Sequence, residues 1–142
     1  MGDEKLKNWF VQYLKHRDVF DKKLRQINDN GETVHVKYKD AELTGIVKPI
    51  LENIDNLVKD IKCEERVNLV TYNSKKNLKF LINSWDKLAN CPNLKVIFAN
   101  PDTNGDHKWI IVPHTHSKIT PSSSLKPGLE SLFQSVEEVN IS

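Results

Sequence analysis

The sequence predicts an α/β fold: a three-layer αβα sandwich around a small, mainly parallel four-stranded sheet, in the order α-β-α-β-α-β-β-α with the last strand antiparallel. Three observations predict it. Apolar residues switch repeatedly between the helical period and the alternating period of a strand. The run 94–99 (LKVIFA) is nearly all apolar, as in a strand covered on both faces. Clusters of Asn, Asp, Gly, Pro and Ser separate the periodic segments where the chain has to turn.

Residues 4–28 place Leu6, Trp9, Phe10, Tyr13, Leu14, Phe20, Leu24 and Ile27 at three- and four-residue steps, which predicts one long amphipathic helix stopped at Asn28-Asp29-Asn30-Gly31. Trp9, Phe10 and Tyr13 on that stripe read as core residues. Residues 33–38 alternate Val34, Val36 and Tyr38 with Thr33, His35 and Lys37, a strand with one wet face at the sheet margin. Val47, Ile50, Leu51, Ile54, Leu57, Val58 and Ile61 predict a second helix, starting near Val47 or Lys48 so that Pro49 falls in its first turn. Thr44-Gly45 falls in the connection before it.

Residues 67–72 (VNLVTY) predict a second strand, and Leu78, Leu81, Ile82, Trp85 and Leu88 a third helix that ends by Asn90-Cys91-Pro92. Ser74 is placed to cap that helix, its hydroxyl accepting from a free N–H of the first turn. The central strand 94–99 follows, then a turn-rich link at 100–106 and the β-rich run 107–112 (HKWIIV), which so short a link makes antiparallel. A polar loop over residues 113–124 leads to a last helix with Pro127 near its start and Leu129, Leu132, Phe133 and Val136 facing inward. No boundary interrupts residues 1–142, which read as one domain.

Composition narrows the function classes. With 21 basic and 19 acidic residues the formal charge of +2 exerts no general pull on nucleic acid or anionic lipid. The largest excess of basic groups, nine against six, lies in residues 66–142, so nucleic-acid binding through that half is kept as a third reading. Cys63 and Cys91 form neither a CxxC pair nor a disulfide-dense scaffold and read as packing thiols of a reducing compartment. No apolar run reaches the ~18 residues of a membrane span, and MGDEKLKN lacks the apolar stretch of a signal peptide, so the expected location is cytoplasmic, away from membranes.

In open α/β sheets ligands settle at the carboxyl ends of the strands. The candidate ligand-binding residues are therefore Tyr72, Asn73, Ser74, Lys75 and Lys76 after one strand and Asn100 and Asp102 after the next. A serine and two lysines at a helix start combine free N–H donors, the positive helix end and mobile ammonium groups, a setting for phosphate or carboxylate. Asp40, Asp102, His114 and His116 are the alternative, as ligands of a metal in hydrolytic chemistry. His107 would stand about 20 Å from the His114-Thr115-His116 pair if the strand between them is straight.

No nucleophile elbow, HExxH, P-loop or GxGxxG occurs, and no cofactor is expected. The leading expectation is a module that binds a protein partner or a small anion at the strand ends. A metal-assisted hydrolase, of phosphoesterase or nuclease type, is the rival.

Overall fold

The computed structural model describes residues 2–140. Its elements are α1 (Gly2–Arg17), β1 (Leu24–Asp29), β2 (Thr33–Tyr38), β3 (Glu42–Val47), α2 (Ile54–Asp60), β4 (Val67–Tyr72), α3 (Lys75–Asn83), α4 (Trp85–Ala89), β5 (Leu94–Ala99), β6 (Lys108–Ile111), α5 (Pro113–Ile119) and α6 (Leu125–Gln134), with a 3-10 turn at Ser122–Ser124. The α/β class holds. The sheet, however, has six strands rather than four and is mixed, in the spatial order β1-β2-β3-β4-β5-β6. Only β3, β4 and β5 are mutually parallel; β1-β2, β2-β3 and β5-β6 are antiparallel.

Two strands replace predicted helix and connection. The first helix stops at Arg17, and residues 24–29 form β1 instead. The cause is a register shift between Leu24 and Gln26, a bulge that puts Leu24 and Ile27 on the same inner face three residues apart. That spacing imitates a helix. Residues 42–47 form β3, and the second helix begins only at Ile54, where the Asn53 side chain accepts from the Asn56 N–H. The preceding segment is tied down outside the helix by buried Asn77, whose Oδ1 accepts from Leu51 N at 2.8 Å and whose Nδ2 donates to the Pro49 carbonyl at 3.0 Å. Gly45 is a strand residue under α1, where a β-carbon would overlap the Phe10 ring.

Strand order explains the layers. Right-handed crossovers β3-α2-β4 and β4-α3-α4-β5 that always step to the next strand in the same direction leave their helices on one face. There Leu57, Leu78, Leu81, Leu88, Leu129 and Phe133 pack on Ile46, Leu69, Val96 and Phe98, with the Phe98 ring stacked on Trp109 at 4.3 Å. The other face is covered by α1, which buries Leu6, Phe10 and Leu14 against Val34, Val36, Val47, Val70 and Ile97. Strands 67–72 and 94–99 fall where the sequence places them, and β6 is an edge strand.

Two further differences concern chemistry-bearing residues. Residues 113–119 are helical rather than loop, begun by Pro113 at the first helical turn, where its missing N–H costs no bond. Cys63 and Cys91, expected as separate thiols, are joined in a disulfide that staples the connection before β4 to the one before β5. Among the described residues no helix is long and apolar enough to cross a membrane.

Candidate functional site

The carboxyl ends of β4 and β5 are adjacent, so Tyr72, Asn73 and Ser74 do gather beside Asn100 and Asp102. Most of their polar groups are already engaged. Fully buried Asn73 accepts from Trp109 Nε1 at 2.7 Å and donates to the carbonyls of Phe133 at 3.2 Å and Val136 at 2.9 Å. Asn100 donates to the Glu137 carbonyl at 2.9 Å and accepts from Asp102 N at 3.0 Å. Ser74 caps α3 as its sequence position predicts, accepting from Asn77 N. The segment after α6 thus lies over these strand ends, and Val139 N donates to the Asn73 carbonyl. A crevice opens at carboxyl ends where strand order reverses, and this order does not reverse.

Lys75 and Lys76 are exposed. Lys75 stands 4.0 Å from Glu138 and borders a groove of about 380 Å³ between α3 and α6. Asp102 pairs with Lys5 at 2.6 Å. Asp40 belongs to the β2-β3 turn, at the opposite end of the sheet from Asp102. His114 Nδ1 sits 2.9 Å from the Ala89 carbonyl, while His116 meets Trp85 edge-on and its buried Nε2 has no partner. Among the described residues, no three His, Cys, Asp or Glu side chains are arranged to hold a metal ion.

The larger cavity, about 620 Å³, lies at the other end of the sheet, on the α1 face at the amino ends of β4 and β5. Strand alternation builds its floor. In β4, Val67 and Leu69 point into the core under α3, so Asn68 points to the α1 side with Val70 and Tyr72. In β5 the same alternation puts Lys95 on that side, and parallel register makes Asn68 and Lys95 direct neighbours. Arg17 and Asp18 at the end of α1 form one wall. Arg66 and Asn93, each the residue before its strand, form another, with Asp21, Lys23, Tyr38 and Asp40 around the mouth.

Asn68 is 6% exposed, and among the described residues its carboxamide has no hydrogen-bond partner. Its amide reaches the cleft, where a ligand or water can take up its hydrogen bonds. Burial, reinforced by the positive charges of Arg17 and Arg66, holds the Lys95 ammonium below its usual pKa. Burial likewise raises the Tyr38 phenol above its usual value, so it stays neutral. Three carboxylates share the cleft. Asp18 spends both oxygens on backbone N–H groups, those of Lys23 and Leu24, at 2.9 Å each. Among the described residues, none stands within 4.0 Å of the charged nitrogens of Arg17, Arg66 or Lys95.

Sequence reasoning missed this site, although a signal for it was present. Asn68 and Lys95 each put a polar residue at the second position of a mostly apolar strand, and parallel pairing in equal register brings the two together. Comparison with known protein families, with characterised proteins and with solved structures yields no match to the chain.

Proposed function

We propose that this chain is a binding module for a small anion, and that the anion sits in the cleft between the end of α1 and the amino ends of β4 and β5. The observation that carries the proposal is the Asn68 carboxamide on the cleft floor beside Lys95, free of protein hydrogen bonds among the described residues, with Arg17 and Arg66 bordering the same space. An anion would accept from the Asn68 amide and would offset the mutual repulsion of the three cations. Arg66 and Asn93 leave the chain just after Cys63 and Cys91, so the disulfide fixes the spacing of that wall.

Calorimetric titration with inorganic triphosphate and with citrate tests the reading. Saturable binding by the parent is expected, with a loss of ten-fold or more in Lys95→Gln plus Arg66→Gln. Absence of binding, or equal affinity of the variant, would overturn it. Alkylation of thiols at cell lysis checks the bridge that holds this wall: a protected Cys63–Cys91 pair is expected, and a labelled pair would contradict it.

A further inference from the structure

The turn between α1 and β1 carries Phe20 at 93% exposure and Val19 at 54%, while its residues Asp18, Asp21 and Lys23 line the cleft. A single exposed apolar side chain is ordinary. This turn, however, is pinned. Lys22 N donates to the Asp18 carbonyl at 2.8 Å, the Asp18 carboxylate takes the next two N–H groups, and Arg25 donates to the Lys22 carbonyl at 2.8 Å. Lys22 itself adopts a left-handed φ of 53°, a conformation a lysine keeps only when its surroundings impose it. Phe20 thus projects into solvent from a turn whose neighbours Asp18, Asp21 and Lys23 line the cleft, with Arg17, Lys22 and Arg25 close to it in sequence.

Resting on the anion-binding reading above, we propose that the ligand is a nucleotide unit, its phosphate in the cleft on Lys95, Arg66 and Asn68 and its base stacked on Phe20. A planar base over an exposed aromatic ring, with the phosphate on neighbouring cations, is the chemistry by which single nucleotides and single strands are held. A bilayer surface fits less well, because Asn68 and Lys95 form the floor of the cleft on the sheet, recessed behind the α1 wall and the rim.

The test compares four probes on the intact chain: inorganic triphosphate, adenosine triphosphate, a 5′-phosphorylated ten-residue oligothymidylate, and vesicles of phosphatidylserine in phosphatidylcholine. The nucleotide probes are expected to bind about ten-fold more tightly than inorganic triphosphate. Phe20→Ala, at a site whose side chain contributes nothing to the core, should abolish that advantage without changing the affinity for inorganic triphosphate, and Phe20→Tyr should keep it. The ratio between adenosine triphosphate and the oligothymidylate then says whether a free nucleotide or a strand end is preferred. Equal affinity for inorganic triphosphate and both nucleotide probes, or no effect of Phe20→Ala, would overturn this inference and leave the anion site standing. Vesicle binding that alone depends on Phe20 would overturn it in favour of a membrane surface. Failure of every phosphate probe to bind would remove both readings together.

Discussion

Lys95 is the residue at which charge and burial meet. Its ammonium sits on the cleft floor facing Arg17 and Arg66, with Asp18, Asp21, Asp40, Lys23 and Tyr38 around the same space. Its pKa in the folded chain lies below the 10.5 of a free lysine, so between those two values the unfolded chain holds the extra proton. Stability should therefore rise with pH across that window, and Lys95→Gln should flatten the rise. Anion affinity should move the opposite way, because the bound anion favours charged Lys95: affinity is full below the lowered pKa and falls as pH rises through it, with proton uptake on binding inside the window. Titration in buffers of different ionisation enthalpy measures that uptake, and a pH-independent affinity would speak against Lys95 as a contact. Gly45 makes a second prediction at this scale. Gly45→Ala places a methyl against the Phe10 ring and should destabilise the fold by about 1–3 kcal/mol in chemical denaturation. The cost should shrink markedly in a Phe10→Ala background, since the ring is what the methyl meets.

The disulfide acts on elements rather than on a single contact. Closing a chain segment of 28 residues between Cys63 and Cys91 restricts the unfolded ensemble, and replacing both cysteines by serine should cost about 3–4 kcal/mol of stability. Because Arg66 and Asn93 follow the bridge in their respective connections, the same variant should also weaken anion binding at temperatures where it stays folded. An unchanged denaturation midpoint would show that the bridge does not form. Legibility at this scale follows from what each element depends on. The strands 33–38, 67–72 and 94–99 and the capping Ser74 could be read because their patterns are local. The strand at 24–29 could not, because a bulge gave it the spacing of a helix. The strand at 42–47 was hidden because its glycine answers to Phe10, a residue 35 positions earlier, and because a distant Asn77 keeps residues 49–51 from winding into the helix that their apolar spacing suggests.

At the scale of the whole molecule, strand order decides where a ligand can sit. Alternating elements imply an α/β sheet, yet nothing local says whether the order reverses, and the expectation of a site at the carboxyl ends depended on that. With the order running straight from β1 to β6, helices α2, α3, α4 and α6 share one face, and the segment after α6 lies over the carboxyl ends through Asn73 and Asn100. The open space lies where the end of α1, which among the described residues covers the other face, meets the amino ends of β4 and β5. The most direct measurement is an amide and side-chain chemical-shift map of the labelled protein titrated with inorganic triphosphate. This account predicts that the largest changes fall on Arg17, Arg66, Asn68 and Lys95, the Asn68 carboxamide among them. Changes centred instead on Ser74, Lys75 and Lys76 with Asn100 and Asp102 would contradict it.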